Sequence, residues 1–456
     1  MDIKKIFSQK QTENGDMSYD TTGDNMLDIL FMTEYYQHHL NEIKLGSTDK
    51  DKLFAMFMRD PRFGMGRRDL GRVLMQMAKV DFDNIVKAGR FDDLFLNWET
   101  MSAEDFSTLC SYLLNEIKQG NELCKKWMPR YSSKNLMLAR KIAKEWGMTK
   151  QQYGHFIKCN SVENQLSRKD TEDIVFEHVP SLALLKYWYR FRTGDDTASR
   201  FQDYLDNVRV GKTKVNISTT NVYDIYRNRY KIDADLMFEQ LEKIKINCMV
   251  ILDSSGSMQD ANDSYGKARA IGHYLSKCST FMPNYIISFS SNPQLMQLTS
   301  ANSYSFKDYY YLSDQYDMKT RDLTREGSSN YCREIASMYT GDCSNTDFAK
   351  VCDLLKQLDK DSAPEYLVVL SDMEFDAGSR QSASDLQSLF IANGFNTNLI
   401  WWNFNSRNKT VTFQHDEFGN IYLSGYSPVL LKYLEVGFDS KQFLDKLLSE
   451  YSTKIQ

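Results

Sequence analysis

The period of the apolar residues changes near residue 244, and this limits the fold more than any other feature of the chain. From about 25 to 240 they recur at helical spacing, most clearly in MLDILFMTEYYQHHL, DLGRVLMQMAKV, EDFSTLCSYLLNEI, NLMLARKIAKEW, SLALLKYWYRF and RFQDYLDNV. Short helices follow one another with polar connections and no strands. This predicts a stacked, HEAT-like α-helical repeat, although no strict repeat of fixed period is present. After 244, IKINCMVIL, YIISFSS, PEYLVVLSD and NLIWWNF read as strands. Between them, YGKARAIGHYLSKC, DFAKVCDLLKQL and SASDLQSLFIANG read as helices. Strand–helix alternation predicts a parallel, doubly wound sheet. IYLSGYSP reads as a last strand and SKQFLDKLLSEY as a closing amphipathic helix. The expected class is α + α/β. A polar segment at 1–24 precedes a helical domain at 25–240. An α/β domain follows at 241–456, with a Tyr-rich polar insertion at about 299–343.

At 456 residues the chain exceeds one usual core, and 42% hydrophobic and 26% charged residues suit a soluble globular protein. The eight cysteines show no C-x-x-C and no zinc spacing, so they are expected as reduced thiols. The N-terminus has no long apolar stretch, and no run reaches the ~18 apolar residues of a membrane span. A cytoplasmic location without membrane contact is therefore expected. The net charge is −5, yet residues 121–170 hold 11 basic and 4 acidic residues. Such a stretch is a candidate polyanion surface; the plainer reading is a set of solvated helix faces. GMGRRDLG at 64–71 is Gly-rich but lacks the Lys-Ser/Thr of a phosphate-binding loop and follows no strand. It reads as a loop leading into a helix.

The sharpest chemical signal is VILDSSGSM, residues 250–258. A continuously apolar strand ends in Asp253, just past the strand's carboxyl end, where open α/β sheets place their ligands. Ser255 and Ser257 follow at two-residue spacing with Gly256 between them to turn the backbone. Converging hard oxygens suit Mg²⁺ or Mn²⁺. A polar loop with serine as helix cap is the alternative. Thr346 in CSNTDFAKV and Asp372 in YLVVLSDMEFD lie at comparable positions in the α/β half, with Asp376 as a possible substitute for Asp372.

This ordered set resembles the metal-ion-dependent adhesion site of a von Willebrand factor A domain. The resemblance implies direct ligation by Ser255, Ser257 and Thr346. It implies mostly water-mediated ligation by Asp253 and Asp372, and an open position for a partner's acidic group. In the helical half, RFGMGRRDLGR (62–72), AGRFDDLF (88–95), CKKWMPR (124–130), VENQLS (162–167) and the stretch 178–214 resemble the TROVE module of Ro-like ribonucleoproteins. That module is an RNA-binding ring of helical repeats. The insertion before Thr346 and the modest basic charge of the helical half depart from that pattern.

The function expected is that of a Ro-like RNA-binding protein. Its helical ring would hold single-stranded ends of small non-coding or misfolded RNA, and its metal-bearing A domain would dock a protein partner. Lys125, Lys126, Arg130, Lys134, Arg140, Lys141, Lys144, Lys158, Arg168 and Lys169 would supply charge for phosphates. Tyr153 and His155 could stack on bases or pack between helices. Trp127 reads as core. The alternative is a protein-interaction scaffold whose A domain recruits an acidic partner, such as an ATPase, without RNA. No enzymatic activity is expected, because hydroxyls ligate metals but are poor general bases near neutral pH. The chain is expected to be a monomer.

Overall fold

The structure is a computed structural model. It describes residues 9–11, 17–19, 21–132, 134–168, 170–194, 197–217, 219–260, 262–290, 292–300, 329–338, 348–355, 363–373, 392, 394, 397–404, 421–426 and 440–456. Two compact units result. The first holds residues 1–44 and 217–450, and the second holds 45–216 and 451–456.

This division differs from the boundary expected at 240. The early helices α1 (Asn25–Phe31) and α2 (Thr33–His38) belong with the α/β half. The cause is polar as well as apolar. The Glu34 amide donates to the Ser424 hydroxyl at 3.3 Å, and the Glu34 carboxylate meets Lys267 Nζ at 3.1 Å. Both charged groups are buried, so each needs the other to offset its lost hydration.

The second unit carries α3 (Asp49–Arg59), α4 (Arg68–Met77), α5 (Phe82–Ala88), α6 (Ala103–Lys118), α7 (Glu122–Trp127), α8 (Leu136–Glu145), α9 (Lys150–Phe156), α10 (Val162–Arg168), α11 (Ser181–Thr193) and α12 (Ala198–Arg209). Capping is local and legible. Thr48 and Asp51 form a reciprocal capping box at α3, as do Thr149 and Gln152 at α9. The Gly-rich stretch at 64–71 is indeed a loop entering a helix. A Cβ on Gly71 would sit 2.6 Å from Arg59 Cα, so glycine lets α4 lie directly on α3. Tyr451, near the chain's end, packs on Phe57 and donates its hydroxyl to Asp60 Oδ2 at 3.3 Å.

In the first unit, β1 (Gln9–Gln11) pairs antiparallel with β2 (Met17–Tyr19), inside the stretch expected only as polar chain. After α13 (Val222–Asn228) and α14 (Ala234–Glu239) comes the sheet: β3 (Cys248–Asp253), β4 (Tyr285–Phe289), β5 (Gln294–Gln297), β6 (Tyr366–Ser371), β7 (Asn398–Asn403) and β8 (Ile421–Ser424). Their spatial order is β5-β4-β3-β6-β7-β8. All pairs are parallel except β4–β5.

The central strands are apolar throughout because both faces are covered. Met249, Ile251, Leu367, Val369, Leu399 and Trp401 share a core with Val351 and Leu355 of the helix Phe348–Leu355. Alternate residues face the other way. There Gly272 of α15 (Ser264–Cys278) brings that helix close to Val250 and Leu370. Each such side chain, fully buried, contributes about 1.5–3 kcal/mol. Asn330–Ser337 forms a helix inside the expected insertion, and its Glu334 binds His273 at 2.8 Å and Lys277 at 2.6 Å. The six cysteines described in full are free and buried, and burial pushes the thiols of Cys110, Cys124 and Cys248 up to about 12.

Candidate functional site

β3 and β6 run side by side, with Leu252 opposite Leu370. The next residue on each strand is therefore polar at the same edge: Asp253 and Ser371. Connections leave β3 and β6 toward opposite ends of the sheet, so this edge is the point where the strand order reverses. Ligands of open α/β sheets bind in such crevices.

Asp253 is buried. Its Oδ1 accepts the Ser255 amide at 2.8 Å, and its Oδ2 accepts the Ser371 hydroxyl at 2.6 Å. The Ser255 and Ser257 hydroxyls lie 3.0 Å apart. The loop is pinned from both sides. The Ser254 amide donates to the Phe289 carbonyl at 3.2 Å, and Met258 is fully buried at the end of a short 3-10 turn.

Asp372 is also buried, and it follows β6 directly. Met373 after it takes a left-handed backbone with φ 62°, and its amide donates to the Ser371 hydroxyl at 3.1 Å. Burial, and then the neighbouring Asp372 charge, raises the Asp253 carboxyl to about 7. Ser371 was not singled out from the sequence. Its signal was present, a hydroxyl ending a fully apolar strand immediately before an aspartate.

Four of the five expected metal ligands thus lie on two adjacent loops. Thr346 and the substitute Asp376 lie outside the described residues. Among the described residues, no group of three or more His, Cys, Asp or Glu side chains is placed to hold a metal. The donors gathered here are two carboxylates and two hydroxyls.

The basic stretch 121–170 divides in the structure. Lys134, Arg140, Lys144, His155, Lys158 and Arg168 are exposed. Arg140 and Lys144 share the exposed side of α8, opposite Leu138, Ala139, Ile142 and Ala143. Others serve the fold. Arg130 donates to the Ile157 and Lys125 carbonyls at 3.0 and 3.1 Å. Lys125 pairs with Glu122 at 2.7 Å and Lys126 with Glu163 at 3.3 Å. Lys141 sits 4.0 Å above the Phe106 ring.

Tyr153 needs correction. Its ring is fully buried and its hydroxyl donates to the Pro129 carbonyl at 2.9 Å, so it offers no face to a base. Trp127, expected as core, is half-buried with the Arg90 guanidinium over it at 4.0 Å. Lys169 lies outside the described residues.

Two family models match the chain, on either side of the change in apolar period. "Domain of unknown function (DUF2828)" matches residues 136–243, and "Domain of unknown function (DUF7788)" matches residues 324–446. The chain is 24% identical over 504 residues to "Uncharacterized protein L728" of Acanthamoeba polyphaga mimivirus. That alignment covers 92% of this chain and 83% of the relative. Among solved structures, "Crystal structure of Deinococcus radiodurans RO (RSR) protein" aligns over 92% of this chain and 77% of that one. The identity is 12% and the TM-score 0.34, a likeness that does not define a shared fold. Among the described residues, no helix is long and apolar enough to cross a membrane.

Proposed function

We propose that this chain is a non-enzymatic, Ro-like RNA-binding protein whose α/β unit, a von Willebrand factor A-like domain, docks an acidic partner group through a divalent cation. One observation carries the docking part. Asp253 and Asp372 leave adjacent strands at the switch point of the sheet, beside the Ser255 and Ser257 hydroxyls. The residues fit a hard cation such as Mg²⁺ or Mn²⁺. Burial, and then the neighbouring Asp372 charge, raise the Asp253 carboxyl, and a cation would offset both effects. Ser255, Ser257, Asp253 and Asp372 would hold it, with Thr346 completing the set. When bound, the cation supplies an attraction for a carboxylate or phosphate oxygen.

The RNA part is supported by the resemblance of the helical motifs and by the exposed basic side chains of α8–α10. In this reading the repeats form a HEAT-like ring that admits a single strand and excludes an A-form duplex. A competition assay at fixed salt tests it, using a duplex with a 3′ single-stranded tail, the same duplex with blunt ends, and a circular RNA of equal length. The tailed duplex should bind best. Equal binding of all three would exclude threading. Purified protein with no affinity for any of them would leave a scaffold whose metal site alone recruits a partner.

A further inference from the structure

Three motif stretches that lie apart in the sequence, 62–72, 88–95 and 124–130, meet in the second unit around two carboxylates. Arg59 on α3 donates from Nε to Asp93 Oδ2 at 2.9 Å. Arg72 on α4 reaches Asp93 Oδ1 at 2.7 Å. Arg68, one turn earlier, reaches Asp92 Oδ2 at 2.7 Å, and Arg90 Nε lies 3.2 Å from Asp92 Oδ1. Beyond Arg90 comes the Trp127 ring, at 4.0 Å.

The charges do not balance. Asp93 is buried and closed off by Arg59 and Arg72. Among the described residues, Asp92 alone is left to serve Arg68 and Arg90, with Arg72 also 3.9 Å away. Four guanidiniums thus share two carboxylates, and the surplus lies at the rim, where the Arg68 and Arg90 side chains are 49% and 31% exposed. Burial holds the Arg90 guanidinium below its usual range, and Arg68 and Arg59 push it the same way. Lys126, against the same indole, is matched by Glu163 and adds nothing to the surplus.

We infer that the Arg68–Arg90 rim beside Trp127 is a seat for a phosphodiester group of single-stranded RNA. Planar guanidinium forks fit phosphate oxygens with two parallel hydrogen bonds. A half-buried indole next to them offers a surface to the adjoining base, a pairing that single-strand binders use without sequence preference. This deepens the RNA reading above and rests on it. It adds contacts on α4 and on the turn before Phe91–Phe95, which meet the basic stretch at Trp127 of α7.

The test is fluorescence anisotropy of the full chain with a short labelled oligouridylate across a salt series. Arg68→Gln should weaken binding about five- to tenfold. It should also lower the log–log salt slope by about 0.7, the value for one phosphate contact on a single strand. Arg90→Lys keeps the charge but loses the planar fork and the stack. It should weaken binding severalfold with the slope unchanged, a split that general unfolding would not produce. Arg68 is half-exposed, so its variant remains decisive if Arg90→Lys fails to fold. Unchanged affinity and slope in both variants would overturn this seat while leaving the RNA reading standing. A wild-type chain without affinity would overturn both. An acidic peptide of equal charge competing as well as the RNA would reassign the rim to a protein partner.

Discussion

The Ser371 hydroxyl donates to Asp253 Oδ2 at 2.6 Å, joining the carboxyl ends of two parallel strands that lie more than a hundred residues apart in sequence. Asp253 therefore belongs to the sheet edge as much as to its own loop. Ser371→Ala would leave a buried carboxylate without one donor and should cost about 1–3 kcal/mol. Denaturant unfolding with and without Mg²⁺ would show the loss. An unchanged midpoint would mean that water replaces the hydroxyl.

The raised carboxyl of Asp253 gives stability a defined pH dependence. Its folded pKa of about 7 lies above the ordinary value of 3.8, so the folded state binds the proton more tightly. The contribution of this group is full below about pH 4 and is lost as the pH rises toward 7. Asp253→Asn should remove that loss. The variant should gain on the wild type between pH 5 and 8 in metal-free buffer, and Mg²⁺ should close the gap by stabilising only the wild type. A constant difference across this range would refute the assignment.

Ser255→Ala combined with Ser257→Ala should abolish Mg²⁺ binding in calorimetry. Neither hydroxyl is part of the core, so thermal unfolding in EDTA should stay where it is. Retained Mg²⁺ affinity would sink the metal site. A collapsed melting transition would show the loop to be structural.

Reversal of Lys134, Arg140, Lys144 and Lys158 to Glu should weaken single-strand RNA binding and flatten its salt dependence, at roughly 0.7 in slope per phosphate contact removed. These side chains are exposed, so the fold should tolerate the change. EDTA should alter RNA affinity little. Binding that survives the four reversals at low salt would place the RNA elsewhere.

His273 is fully buried, and burial lowers its pKa despite the Glu334 carboxylate. A neutral ring fits the geometry. One nitrogen serves Glu334 at 2.8 Å, while Nδ1 has no hydrogen-bond partner, so a proton there would be a buried, unsatisfied donor. The folded pKa lies below the unfolded 6.5. Stability from this group is therefore present above about pH 6.5 and falls as the medium is acidified through that value. Unfolding titrations at successive pH values should show a shallower fall for His273→Gln than for wild type. Parallel curves would assign the acid sensitivity to other groups.

Two glycines should respond in opposite senses to alanine. A Cβ on Gly64 would lie 1.9 Å from the Phe57 carbonyl oxygen, and backbone must move to admit it. Gly64→Ala should destabilise by at least about 2 kcal/mol. Gly154 in α9 has nothing within 4 Å of that position, so Gly154→Ala should stabilise by about 0.5–1 kcal/mol. Thermal melts of the two variants would check both.

What the sequence determined by itself is local or periodic. Apolar runs fix strands buried on both faces, as in β3 and β6. Thr48 with Asp51 fixes a helix start. VILDSSGSM and VVLSD fix which oxygens stand at strand ends, because a chain leaving a covered sheet must turn polar there. Tertiary structure decided the pairings that no spacing encodes. It set β3 beside β6 and so brought Asp253 to Ser371. It drew α1 and α2 to the α/β unit, because the buried Glu34 needs Lys267. It buried Tyr153, which the sequence left open between stacking and packing, since an aromatic side chain suits either place. It also turned Arg130 inward while Arg140 stayed exposed. A positive charge looks the same in sequence whether it seeks phosphate or a helix-end carbonyl, and only the neighbours supplied by folding tell the two apart.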